Sequence, residues 1–370
     1  MLRNRRKVLR DGAILLTAGA LAACTSPRRE TDTAASGSIA WEYGVDGGVR
    51  GLRYAAGGVV VQTDAGLAGV TAKSGREAWR LPITTHGIST RSCAWGSTLV
   101  VCGTEPDADV QRAVAVEVAS GERKWTFDAP AGVELEGVFG VRDQLLYLIA
   151  TGSGKGGREV WAVDLRDKSV RWQVPCENAE LFVPEPDSPL YTCDQGALSA
   201  LDPAIGATLW SRPGDLGARA TLGSGLVAGA VLATDGAHTV SGLDPKTGAA
   251  LWNTPALPYP ADTVFGSADA YYLCDGAKLH AMRPGGEAQP LWSLTLSDTG
   301  ETAGAAGYSA TGAFYLLTAR TLRAIDARTS KIRWMQSIPD RSGSEVPFAV
   351  GDAHCYAESA DGASVVAFVR

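Results

Sequence analysis

Short apolar runs recur along the chain from about residue 39 to its end, and each is closed by glycine or by a polar pair. Gly58-Val-Val-Val-Gln62, Leu198-Ser-Ala-Leu201, Phe314-Tyr-Leu-Leu317 and Leu322-Arg-Ala-Ile325 are typical. Apolar runs of this length, bounded by turn residues, read as strands. The clearest unit is Gly242-Leu-Asp-Pro-Lys-Thr-Gly-Ala-Ala-Leu-Trp252. It predicts a strand, a tight turn opened by Asp244-Pro245, and a second strand ending in tryptophan. Aspartate and proline favour that turn, and Gly248 supplies positive φ where the chain reverses. Leu201–Trp210 repeats the unit almost residue for residue, with Gly206 in the place of Gly248.

Eight tryptophans fall in register: Trp41, Trp79, Trp125, Trp172, Trp210, Trp252, Trp292 and Trp334. Seven steps cover 334 − 41 = 293 residues, close to 42 each. Such a period, with several strands per unit, is the signature of a β-propeller. Each unit runs from a weak first strand through an apolar second and third to the turn and the tryptophan strand. The turn glycine is replaced in the units ending at Trp172, Trp292 and Trp334. The two ends complement each other. Residues 346–370 lack a tryptophan strand, and Ile39-Ala-Trp41-Glu-Tyr43 is a tryptophan strand with no unit before it. The expected fold is therefore all-β: an eight-bladed β-propeller of four-stranded blades, spanning 39–370. Its ring is closed by the N-terminal strand joining the C-terminal blade, which hides two sheet edges.

Residues 1–23 read as an export signal rather than as part of the fold. Arg3, Arg5, Arg6, Lys7 and Arg10 precede an apolar run from Gly12 to Ala23, which is short for a membrane span. Leu21-Ala-Ala-Cys24 resembles a bacterial lipobox, which implies lipidation of Cys24. Arg5-Arg-Lys-Val-Leu-Arg10 resembles a twin-arginine signal, with valine where phenylalanine is usual. Polar, small residues 24–38 then form a flexible tether. The formal net charge is −6. Removing five basic residues and Asp11 with the leader gives −6 − 4 = −10. An acidic exported chain is a poor partner for nucleic acid, whose binding rests on neutralising phosphates. The protein is expected outside the cytoplasm, lipid-anchored to the cell membrane, and monomeric.

Six cysteines remain beyond Cys24. Cys102, Cys193 and Cys274 occupy equivalent places in separate units and cannot pair with one another. Cys93 and Cys102 flank a turn near Gly96 and are expected to face each other as a disulfide; Cys176 with Cys193 is a weaker pairing. No Cys-x-x-Cys is present, which removes the usual zinc and covalent-haem signals.

The repeated Ala/Gly-x-Asp-x-x-(Ser/Thr)-Gly-x-x-x-Trp pattern resembles the quinoprotein-type repeat, clearest in Val240–Trp252 and Ser199–Trp210. That repeat builds the propellers of pyrroloquinoline-quinone (PQQ) dehydrogenases and of non-enzymatic relatives. The lipobox with an eight-bladed ring also resembles the propeller lipoprotein of the outer-membrane barrel-assembly machinery. The resemblance implies that the turn glycine and the tryptophan serve docking between blades. It specifies fold far more than function.

Catalytic chemistry finds little support. The adjacent cysteines and long insertions of quinone dehydrogenases are missing. His86, His238, His280 and His354 are isolated, and Gly152-Ser-Gly-Lys-Gly-Gly157 lacks the spacing and helix of a phosphate loop. No catalytic residue, metal site or cofactor is expected. The long loops Gly103–Arg112, Ala150–Glu159, Asn253–Thr263 and Met335–Val346 share one face in this architecture, and loops on a rigid scaffold carry binding. Tyr259, Arg341 and Glu345 are the candidate contacts. The expected function is a non-catalytic scaffold for an envelope protein or peptide, bound by strand addition. A small-ligand or PQQ-binding protein and a cell-wall glycan sensor are the alternatives.

Overall fold

The computed structural model describes residues 36–85, 91–106, 110–152, 157–176, 180–182, 188–194, 197–213, 229–234, 238–258, 263–266, 270–274, 278–285, 289–296, 303–308, 312–318, 321–338, 347–359 and 361–370. Every regular element among them is a strand. The strands form eight antiparallel sheets that succeed one another along the chain. Sheets 1 to 7 occupy residues 51–81, 84–128, 133–175, 180–213, 231–253, 263–295 and 303–337. Sheet 8 takes three strands from residues 348–369 and its fourth from Ile39–Gly44. That N-terminal strand pairs with Ser364–Val369, Trp41 opposite Ala367. The fold is a β-propeller.

Burial explains the apolar runs. The second and third strands of a sheet are covered on both faces, so Val59, Val60 and Val61 are buried in succession, as are Leu146 to Ala150. Eight apolar clusters each join neighbouring sheets. One sits between sheets 2 and 3, with Val100, Ala115, Leu146 and Val163. Another sits between sheets 8 and 1, with Tyr356, Val365, Leu52 and Val61.

The tryptophans dock each sheet on the next. The indole Nε1 of Trp41 donates to Ala72 O at 2.9 Å, Trp79 to Val118 O at 2.7 Å and Trp125 to Leu165 O at 2.8 Å. Trp172 donates to Pro203 O, Trp210 to Pro245 O and Trp292 to Ala327 O. The turn glycine of the following sheet lies over the indole. A Cβ on Gly248 would sit 2.6 Å from the Trp210 ring, and one on Gly206 would sit 2.7 Å from Trp172. Both glycines have positive φ. Where glycine is replaced, Lys168 and Ser330 take the same left-handed conformation, each at φ 60°. The turn aspartate behaves as the pattern implies. Asp244 Oδ1 accepts from Lys246 N, Thr247 N and Thr247 Oγ1.

Three expectations are corrected. The first concerns strand number: the first strand of sheet 2 comes in two pieces, Thr84–Thr85 and Cys93–Trp95, both on Thr98–Thr104. Between them Arg91 leaves the sheet to lie on sheet 3, where its carbonyl accepts from Val138 N at 3.0 Å. Gly137 permits that approach, since a Cβ there would meet Arg91 Cβ at 2.6 Å. Sheet 5 has three described strands, and residues 214–228 lie outside the described part. The second concerns the disulfide. Cys93 and Cys102 are free, buried thiols, as are Cys176 and Cys355. Cys93 faces Val100 in the register, so Cys102 is its diagonal neighbour. Diagonal neighbours stand about 7–8 Å apart, their Cβ atoms somewhat closer, against the Cβ separation of roughly 3.5–4.5 Å that a disulfide bridges. The third concerns residues 36–38, expected to be part of a flexible tether, which are held to the fold. Ser36 Oγ donates to Arg370 O at 2.6 Å, Gly37 N to Val369 O at 2.7 Å, and Gly37 packs on Trp334.

Candidate partner-binding face

In an antiparallel sheet of four strands, the turn between strands 2 and 3 lies at the same end as the start of strand 1 and the end of strand 4. The connections between sheets therefore share one face with the 2–3 turns. Arg50 and Asp64 confirm the geometry in sheet 1. Arg50 precedes the first strand, Asp64 sits in the 2–3 turn, and they pair at 2.7 Å.

Sheets 2 and 3 carry more of this face. Arg112, which opens the third strand of sheet 2, donates from Nη1 to Glu105 at 3.0 Å and from Nε to Asp128 at 2.7 Å. Asp128, whose hydrogen bond is the largest cause, raises the Arg112 pKa further. In sheet 3, Glu136 occupies a bulge of the first strand, between Leu135 and Gly137. It accepts from Thr151 Oγ1 at 2.6 Å and from Arg158 Nε and Nη2 at 2.8 and 2.7 Å. Arg91 of sheet 2 stands 4.0 Å away. Burial pushes the Glu136 carboxyl upward, but the bonds from Arg158 and Thr151 outweigh it and hold the group below its ordinary value. Sheet 8 adds the turn where Ser359 Oγ donates to Asp361 at 2.6 Å. The described part of the face is thus a run of fixed arginine–carboxylate pairs on successive sheets. It can offer bidentate donors and acceptors to a polar partner. Sequence spacing could not reveal these residues, because the pairs share no motif, Arg158 and Glu136 stand 22 positions apart, and Glu136 shares its strand with a second acid, Glu134.

Tyr259, Arg341 and Glu345, the contacts expected from sequence, lie outside the described residues, as does Cys24. The connection carrying Tyr259 is anchored up to Pro258: Leu257 is buried and its N–H donates to His238 O at 2.8 Å. Of the histidines, His280 is buried with Nδ1 2.8 Å from Ser293 Oγ, and burial lowers the pKa of His354. His86 falls outside the described residues. Among the described residues, no group of three or more His, Cys, Asp or Glu is placed to hold a metal ion. No helix of the described residues is long and apolar enough to cross a membrane.

Two segments of the chain, 31–126 and 109–266, match the family model described as Outer membrane protein assembly factor BamB. The chain belongs to this family. No curated protein matches it in sequence. Among solved structures, BamB from Moraxella catarrhalis superposes with a TM-score of 0.63 at 16% identity, covering 90% of this chain and 99% of that one. A computationally designed protein, Ika8, gives 0.62 at 15% identity, over 90% and 100%. A quinohemoprotein alcohol dehydrogenase from Pseudomonas putida HK5 gives 0.60 at 13% identity, over 90% of this chain and 76% of that one. At such identities the likeness concerns fold alone. The quinoprotein-type resemblance of the repeat and its kinship with the assembly factor family are both shown.

Proposed function

We propose that the protein is a non-catalytic, extracytoplasmic scaffold, tethered to the membrane by a lipid on Cys24, that binds an envelope protein through the face of the inter-sheet connections. In this reading the eight sheets are the blades of one ring, closed where Ile39–Gly44 joins sheet 8. The cyclic set of clusters and indole bonds, including those from sheet 8 to sheet 1, supports the closure. Membership of the assembly factor family carries the functional reading, and the arginine–carboxylate pairs of sheets 1 to 3 support the choice of face. Tyr259, Arg341 and Glu345 are assigned to the same face, on the connections after sheets 5 and 7. Photo-cross-linkers at positions 259 and 341 would test this in cells, with position 246 on the opposite face as control. One envelope protein captured from 259 and 341 but not from 246 is the expected result. Equal, unselective capture from all three would overturn the reading.

A further inference from the structure

A β-bulge precedes the docking tryptophan in sheets 1, 2, 3, 4, 5, 7 and 8 and turns the intervening side chain outward from the rim. The rim is not uniform. In sheets 1 to 3 its outer strands carry charges in ion pairs: Arg80 with Glu77, Lys124 with Glu122, Arg171 with Asp164. From sheet 4 round to sheet 8 the rim instead exposes apolar side chains, Leu209 at 50% in sheet 4 and Leu251 at 54% in sheet 5 among them. Ile332 is 45% exposed, Met335 52%, Leu291 of sheet 6 48% and Ile39 of sheet 8 60%. The turn leading into Ile332 is basic. Arg328 and Lys331 are exposed, and Asp326 is engaged by Arg333 at 2.7 Å. Residues 326–337 thus hold three basic groups and one acid in a chain whose net charge is −6.

The chain also joins the fold at this place. Gly37 packs on Trp334, and Gln336 Nε2 donates to Gly37 O at 2.8 Å. Cys24 is 36 − 24 = 12 residues before Ser36, so the connecting chain reaches at most about 40 Å. We infer that the rim centred on Ile332, Met335, Arg328 and Lys331 rests on an anionic lipid bilayer. This inference rests on the lipid tether proposed above. Apolar side chains beside basic ones suit the headgroup boundary, where apolar burial and attraction to anionic lipid add. Of the longer apolar stretch, sheets 6 to 8 flank the basic turn and the point where Gly37 enters the fold, and they form an arc that a plane can meet. The propeller would then lie edge-on, with the face of the inter-sheet connections open to the side.

The test uses the lipidated protein in phosphatidylcholine vesicles containing about one third phosphatidylglycerol. An environment-sensitive fluorophore is placed on Ile332→Cys or, on the charged rim of sheet 2, on Lys124→Cys, and quenching by chain-brominated lipid is read. Unmodified protein gives the labelling background, and the mass of the N-terminal peptide reports the lipid on Cys24 independently. Quenching several-fold stronger at 332 than at 124, and at least halved by Arg328→Glu with Lys331→Glu, is the expected result. Equal quenching at both positions overturns the inference, even where the mass shows Cys24 lipidated. Strong quenching at 332 that ignores both the charge reversal and the removal of phosphatidylglycerol overturns the anionic-lipid assignment. Unlipidated protein is compared with excess vesicles, so loss of the tether alone leaves the comparison readable.

Discussion

Replacing Gly248 with alanine separates the two demands that docking places on the turn glycine. Gly248 has φ +69°, and a Cβ there would lie 2.6 Å from Cδ2 and Cε3 of Trp210. Holding alanine in the left-handed region costs about 1–2 kcal/mol, offset by about 0.4–1 kcal/mol because alanine stiffens the unfolded chain. The overlap is a second cost. Ordinary contact begins at 3.4 Å, so the indole must retreat by 3.4 − 2.6 = 0.8 Å, straining its bond to Pro245 O at 3.0 Å. Overpacking of this kind adds about 1–3 kcal/mol, and the whole effect comes to about 2–4 kcal/mol. Gly57→Ala is the control: its φ is +77° and a Cβ there meets nothing within 4 Å, so it should cost only about 1 kcal/mol. Urea unfolding followed by tryptophan fluorescence gives midpoints and slopes for both. If Gly248→Ala costs no more than Gly57→Ala, the glycine serves the turn alone and the docking argument fails.

Lys168→Gly and Ser330→Gly should each stabilise by up to about 1 kcal/mol, because both residues hold φ 60°; a loss of stability in the same urea assay would contradict this. Trp79→Phe removes a 2.7 Å bond to Val118 O from a buried site, and a cost of about 2–4 kcal/mol is expected, checked by the unfolding midpoint. Cys93, Cys102, Cys176 and Cys355 should resist alkylation at pH 8 in native protein and react after denaturation. All four are buried, and burial pushes the Cys93 and Cys355 thiols up to about 12; peptide mapping that finds any of them modified in native protein counts against the packing. The depressed Glu136 pKa contributes stability that is complete above the ordinary carboxylate value of 4.5 and is lost as pH falls through the folded value. Glu136→Gln should therefore flatten part of the acid limb of a pH–stability curve, and an unchanged limb would refute the role given to Arg158.

The sheets were legible because their cause is local and repeated. Each tryptophan needs a carbonyl and a flat turn in the next sheet, so Trp, Asp and Gly recur at fixed offsets, and the unmatched strand at Trp41 pointed to the unfinished unit at 346–370. Legibility fails where the cause is not local. Cys93 and Cys102 flank a turn, yet the exact register decides whether they face, and it sets Cys93 against Val100. The break in the first strand of sheet 2 depends on Gly137, which lies in another sheet. Lys168 and Ser330 look like lost turn glycines, although the backbone keeps its left-handed form without them. The candidate face was legible only as loop length. Its ion pairs join residues such as Arg91 and Glu136, which share no motif, and Tyr259, Arg341 and Glu345 fall outside the described residues.

The pairing of Ile39–Gly44 with Ser364–Val369 gives synthesis and folding opposite orders. The strand made first finds its partner only when the last residues exist, more than 300 positions later. Contacts of such separation are slow to form. Until Ile39–Gly44 docks, sheet 8 exposes the unpaired edge of Ser364–Val369 and the bare indole of Trp334, which Gly37 covers only in the finished fold. A nascent or stretched chain therefore has one defined weak seam. A pull applied at Ser36 would load that seam before any other, testing the last-made joint of the molecule first.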